Sequence, residues 1–143
     1  MEDKQQCEID KERARVESVR NFLCSYQLSA DMLHLKRYER KRAYQFDEEF
    51  DCEDILAGNE AYWRARMYAV GNLIERMKNG REKLMIYYHY IRGESIEHAA
   101  NLLDVSRRTG YRLHERGLRS ASFLYERMQR ENPYPADPEQ SKL

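Results

Sequence analysis

Five arginines lie between positions 106 and 119, together with a serine and a tyrosine. The seven residues are Ser106, Arg107, Arg108, Tyr111, Arg112, Arg116 and Arg119. An arginine guanidinium can donate two parallel hydrogen bonds to O6 and N7 of guanine, or to a phosphate. Only Asp104 and Glu115 carry negative charge close by in the sequence. This composition indicates a surface that binds nucleic acid.

The charge distribution agrees with that interpretation, although the formal net charge of the chain is zero. Residues 81–130 contain ten Lys/Arg and six Asp/Glu, a net of +4. Residues 1–80 contain fourteen Lys/Arg and sixteen Asp/Glu, a net of −2. The positive excess therefore lies in the segment that holds the arginines.

Local signals predict three consecutive helices around the arginines, over 81–92, 96–103 and 107–125. Gly93 is the kind of residue that ends a helix, and Ser95 and Ser106 are good N-caps. In the first of these helices, Leu84, Ile91 and either Tyr87 or Tyr88 are expected to face inward.

The second and third of these helices would form a helix-turn-helix. The turn runs over 103–106, and Val105 is expected to fill its corner. Ala99 and Ala100 are small enough to let the last helix cross closely. In this motif the second helix enters the major groove of DNA with its N-terminal residues leading. Ser106 and the arginines that follow would then face the DNA, and Arg116 and Arg119 would reach phosphates.

The segment from Gly93 to Leu118 resembles region 4 of bacterial sigma factors. Here the chain reads GESIEHAANLLDVSRRTGYRLHERGL, and the family pattern is roughly G-x-S-I-x-E-I-A-x-x-L-x-V-S-x-x-T-V followed by an amphipathic helix. The resemblance covers about a third of the chain. It implies binding of a promoter element of the −35 type, with Arg107, Arg108 and Arg112 at the bases. It also implies that Tyr111 and Arg116 lie near the DNA backbone.

Two glycines depart from the family pattern. Gly110 stands where the family usually has a buried Val or Ile, and Gly117 where it usually has Ala. A glycine inside a helix costs about 0.5–1 kcal/mol relative to alanine. Gly110 is also expected to remove a side chain from the core.

The overall organisation is similar to phage regulators of the ArpU and RinA type, which are small sigma-like activators. A complete sigma factor would also need a region 2, for which the first 80 residues offer no room. The prediction is therefore a sequence-specific transcriptional regulator of double-stranded promoter DNA, from a phage or prophage. Two alternatives stay open: a DNA-binding assembly protein like a phage small terminase subunit, or a helical module that binds RNA polymerase without reading DNA.

The fold class predicted for the whole chain is all-α, because all three prolines lie at or beyond position 133. An N-terminal helical hairpin is expected from a helix over 9–26, a break at 25–29 and a helix over 30–45 capped by Ser29. Six acids in residues 47–54 indicate a joint. A third helix, over 60–78, would begin at Asn59 and end at Asn79 and Gly80.

Three divisions of the chain follow from this pattern. They are an N-terminal helical pair with its acidic joint over 1–58, a linker helix and helix-turn-helix over 59–130, and a disordered tail over 131–143. The basic run 36–42 resembles either a nucleic-acid patch or a solvated helix face, and the pattern favours the solvated face.

Other functional classes lack support in the sequence. The histidines are scattered without metal spacing, and no phosphate-binding loop or nucleophile motif occurs, so we expect no enzymatic activity, no cofactor and no metal site. His114 is expected to be solvated. The three cysteines fit free thiols, and no apolar run approaches a membrane span, so a cytoplasmic location is expected. RNA polymerase and a second copy of the chain are candidate partners beside DNA.

Overall fold

Two long helices at the N-terminal side support three shorter helical elements and a long last helix. The structure is a computed structural model that describes residues 2–45 and 53–131, with side chains described for 3–42 and 59–131. All regular elements in these two ranges are helical, which confirms the all-α class. The elements are α1 (Glu2–Gln45), α2 (Glu53–Glu75), α3 (Gly80–Ile86), a π-helical turn (Tyr87–Ile91), α4 (Ile96–Leu102) and α5 (Arg107–Glu131).

α1 is one unbroken helix of 44 residues, so the predicted break at 25–29 and the hairpin within 9–45 are wrong. No glycine or proline interrupts this stretch. Ser29, predicted as an N-cap, is fully buried and donates its hydroxyl to the carbonyl of Ser25 at 2.7 Å. That bond to the residue four positions earlier satisfies the serine inside a continuous helix.

α2 runs back along α1. Near their connected ends, Arg40 Nη2 lies 3.0 Å from Glu60 Oε1, and Glu60 is buried. At the other end, α1 and α2 contribute to one hydrophobic cluster. The fully buried members from these two helices are Val19, Leu23, Val70 and Leu73. The two helices therefore lie antiparallel, and the α3 segment, the π-turn and α5 complete the same cluster through Ile86, Tyr90 and Leu118.

The predicted start of the third helix at Asn59 is wrong, because α2 already begins at Glu53. Two of the acids assigned to the joint, Glu53 and Asp54, thus belong to a helix. The remaining joint residues and the tail beyond 131 lie outside the described residues. α2 also ends at Glu75, before Asn79. Asn79 instead caps α3 and accepts hydrogen bonds from the backbone of Arg81 and Glu82 at 3.1 and 3.2 Å.

The buried face of α3 and the π-turn agrees only in part with the predicted one, because Tyr88 and Ile91 pack against the hydrophobic clusters as expected but other positions differ. Met85, Ile86 and Tyr90 are buried, whereas Leu84 and Tyr87 are exposed. The π-turn closes with a hydrogen bond from Arg92 N to the carbonyl of Tyr87, five residues earlier. Because this turn holds one more residue than an α-turn, a strict 3.6-residue period does not describe the face. Gly93 follows with φ 73°, in the left-handed region that glycine tolerates, and the helix ends there as predicted.

Candidate nucleic-acid interface

A four-residue turn, 103–106, joins α4 to α5. Asp104 adopts φ 57°, a left-handed conformation that short polar residues tolerate better than most. Val105 packs against the cluster formed by Met85, Ala99, Ala100 and Leu113, as expected for the corner residue. Both predicted caps are confirmed, because Ser95 Oγ accepts from His98 N at 3.1 Å and Ser106 Oγ from Thr109 N at 3.2 Å.

α4 and α5 cross at Ala100 and Gly110. A Cβ atom added at Gly110 would lie 2.7 Å from the Cβ of Ala100, closer than real Cβ atoms approach one another. Gly110 is therefore not a place where a core side chain is missing, and the expectation of a lost core residue is wrong. The alanine methyl group occupies the space that a side chain at 110 would need.

A second close approach holds α5 against α3, seven residues further along. A Cβ atom added at Gly117 would lie 2.8 Å from Ile86 Cγ1 and 3.4 Å from the carbonyl oxygen of Glu82. Ile86 and Leu118 are both fully buried beside this contact. The two glycines thus place the backbone of α5 directly against its neighbours, and the opposite side of α5 faces solvent.

The predicted DNA-binding residues all lie on the exposed side of α5 or at its start. Ser106, Arg107, Arg108, Tyr111, Arg112, Arg116 and Arg119 are all exposed. Positions four apart on a helix share a face, so Arg108, Arg112 and Arg116 form one row. Among the described side chains, none of these three arginines forms an ion pair. We refer to this row as the arginine face.

Arg107 and Tyr111 lie beside the arginine face and contact α4. Arg107 Nη2 lies 2.9 Å from Glu97 Oε1, and the Tyr111 hydroxyl donates to the same oxygen at 3.4 Å. The Arg107 guanidinium carbon is 5.9 Å from the centre of the Tyr111 ring. One carboxylate on α4 therefore holds two of the predicted DNA-binding residues. Glu97 is not among the residues predicted from the sequence, although it lies in the first turn of α4, within the predicted motif.

Arg119 has different surroundings. Its Nε lies 3.2 Å from Glu12 Oε1, so this arginine contacts α1 about three turns after the start of that helix. Arg119 still lies on the solvent side of α5, with 63% of its side chain exposed. The structure thus brings Ser106 and four of the arginines together at the start of α5 and places Arg119 against another helix.

His114 lies behind the arginine face and is buried, so the expectation of a solvated side chain is wrong. Its Nε2 is 2.8 Å from the hydroxyl of Tyr90, and its ring centre is 5.2 Å from that of His89. Burial lowers the pKa of His114 from 6.5 to about 4, with smaller contributions from His89 and Arg20. Burial also raises the pKa of Tyr90 to about 12. At neutral pH a neutral histidine and a neutral tyrosine therefore share this hydrogen bond.

We expect this pair to make the fold sensitive to acid. The unfolded chain binds a proton at His114 near pH 6.5, whereas the folded chain does so only near pH 4, so stability is lost as the pH falls through this window. The slope should reach about 1.4 kcal/mol per pH unit. Urea unfolding from pH 7 to 4, compared with His114→Gln, measures this contribution. Parallel pH profiles of the two proteins would contradict it.

Other kinds of site receive no support from the described part of the chain. No group of three or more His, Cys, Asp or Glu residues there is arranged to hold a metal ion. No helix among the described residues is long and apolar enough to cross a membrane. Comparisons with family models, curated proteins and solved structures return no match to this chain.

Proposed function

We propose that the chain is a sequence-specific regulator of transcription that binds double-stranded DNA through α5. The observation that carries the proposal is the arginine face at the start of α5. Arg108, Arg112 and Arg116 are exposed and form no ion pair with any described side chain, and α4 crosses behind them. A capped turn followed by a helix of this kind is the arrangement in which a second helix enters the major groove.

The chemistry of the exposed residues suits duplex DNA. The fork of an arginine matches the O6 and N7 acceptors of guanine in the major groove, and the same group binds phosphate. The N-terminus of α5, a helix of 25 residues, adds a partial positive charge. We therefore assign base contacts to Arg107, Arg108 and Arg112, and backbone contacts to Tyr111 and Arg116. Ser106 caps the helix, so its direct role is in holding the start of α5.

The finer part of the proposal depends on the resemblance to sigma region 4. On that basis the target is a promoter element of the −35 type, and the regulator is an activator encoded by a phage or prophage, with RNA polymerase as a further partner. The helix-turn-helix occupies only the last third of the described chain. The first two helices are then a support that can also contact polymerase or a second copy.

Selection of bound duplexes from a random DNA pool at moderate salt tests the proposed function. We expect one enriched sequence containing guanine, and an affinity that falls steeply with salt. Three to five phosphate contacts would give a log–log slope of about −3 to −5, because each contact contributes about −0.9. Recovery of unselected sequences with no salt dependence would contradict the proposal.

An assembly protein that binds DNA is the second candidate, and an apolar groove favours it. The groove, of about 540 Å³, lies between α1, α2 and the π-turn, and its lining includes Tyr26, Met67, Tyr68, Ile74 and Tyr87. Tyr68 is 76% exposed and adds aromatic surface to this groove. Mass measurement in the selection buffer separates the candidates. A ring of many copies indicates assembly, and a monomer or dimer bound to one DNA site indicates regulation.

A further inference from the structure

Glu97 differs from the other acids near the arginine face because it contacts two residues of that region at once. Its Oε1 atom lies 2.9 Å from Arg107 Nη2 and accepts a hydrogen bond from the Tyr111 hydroxyl at 3.4 Å. Glu97 lies on α4, and the other two residues lie on α5. The contact therefore joins the two helices across the outside of the turn, at the end of α5 that would lead into the groove.

This contact contributes little to the stability of the fold. The Glu97 and Arg107 side chains are 51% and 72% exposed, and exposed ion pairs contribute little to stability. The crossing of α4 and α5 is already fixed where the side chain of Ala100 packs against the backbone of Gly110. A role in orienting Arg107 explains the arrangement better than a role in packing.

The geometry leaves Arg107 able to read a base. Its guanidinium is held through Nη2, so donors on Nη1 and the second Nη2 hydrogen are directed elsewhere. Two such donors match the O6 and N7 acceptors of one guanine. The Glu97 carboxylate at the guanidinium also repels phosphate, and contacts to phosphate carry no sequence information. Among the described side chains, Arg108, Arg112 and Arg116 have no such acid, so nothing restricts them to one kind of acceptor on the DNA.

We propose that Glu97 is a specificity-determining residue. It positions Arg107 for a guanine in the major groove, holds Tyr111 beside it, and withholds Arg107 from phosphates. It thereby lowers affinity for DNA in general and raises the preference for the correct site. This inference rests on the proposed function, and it adds a residue of α4 that the DNA does not need to touch.

Glu97→Gln tests the inference, with Glu12→Gln as the matched control. Each change removes one negative charge that lies within 3.2 Å of an α5 arginine. Glu12 differs from Glu97 in that it lies on α1 and pairs with Arg119, away from the start of α5. Dissociation constants are measured for the selected site and for a scrambled duplex over a range of salt. For Glu97→Gln we expect scrambled DNA to bind about 3–10-fold more tightly and the salt slope on that DNA to steepen by about one unit.

The ratio between the two duplexes distinguishes orientation from simple charge. We expect Glu97→Gln to reduce the preference for the selected site at least about fivefold, and Glu12→Gln to change both affinities by a similar factor. An unchanged preference in Glu97→Gln, or an equal loss in Glu12→Gln, overturns the inference alone. A large fall in the melting temperature of Glu97→Gln also overturns it, because Glu97 would then be a structural residue. Absence of duplex binding by the unsubstituted chain overturns the proposed function as well.

Discussion

Gly110→Val is expected to lower the free energy of unfolding by about 3 kcal/mol or more. Its first added carbon would lie 2.7 Å from the Cβ of Ala100 and 3.6 Å from Met85 Cε. The Ala100 methyl group is fixed to the backbone and cannot rotate away, so α4 and α5 must separate. Separation opens the cluster around Leu113 as well. The valine that the sigma-like pattern would place here is thus expected to damage this chain. Urea unfolding followed by circular dichroism measures the effect.

Two further variants show whether the close contact itself is responsible. Gly71→Ala places a methyl group where no atom lies within 4 Å, and it should stabilise the protein by about 0.4–1 kcal/mol. Ala100→Gly combined with Gly110→Ala transfers the methyl group from one helix to the other. We expect the combination to be more stable than Gly110→Ala alone, because the two positions share one space. A Gly110→Val protein as stable as the parent would disprove the assigned crossing.

Arg107→Ala combined with Arg112→Ala is expected to weaken binding to the selected DNA by about 2–6 kcal/mol. Each arginine that reads a base contributes about 1–3 kcal/mol, and its loss relaxes specificity at its own position. Both side chains are exposed, so neither change should disturb the core. Repeating the selection with the double variant should give a shorter enriched sequence. Fluorescence anisotropy with the selected duplex gives the affinities.

The control is Arg127→Ala combined with Arg130→Ala. It also removes two positive charges from exposed positions of the same helix, about five to six turns beyond Arg108. Because these positions lie far from the start of α5, we expect less than a tenfold loss of affinity and no change in the enriched sequence. Equal losses in the two double variants would mean that net charge, and not reading of bases, determines binding.

The local signals in the sequence were enough to place the elements around the candidate interface. Ser95 and Ser106 each cap a helix, and Gly93 has the left-handed conformation that a helix end requires. Such signals act within a few residues, so a single sequence reveals them. The exposure of the arginines follows from the same register, because the buried positions of α5 alternate with them at helical spacing.

Features that depend on residues distant in sequence could not be predicted in the same way. The polar stretch around Ser29 predicts a break between two helices. In the structure Ser29 is buried, and its hydroxyl donates to the carbonyl of Ser25 inside one continuous helix. The burial of His114 depends on Tyr90, which lies 24 residues earlier. Gly110 reads as a missing side chain until Ala100 is seen against it. In each case the deciding neighbour comes from another turn or helix, which periodicity does not identify.

The glycine contacts of α5 have an entropic consequence for any partner of the arginine face. Side chains can change rotamer, but the backbone of α5 at Gly110 and Gly117 rests against Ala100 and Ile86 with no such freedom. Rolling the helix about its axis would bring residues with a Cβ atom into these two close contacts. A ligand therefore has only the exposed side chains left to order, at about 0.5–1.5 kcal/mol for each one immobilised. The two glycines thus remove the entropic cost of ordering the helix backbone and leave only the cost of its side chains.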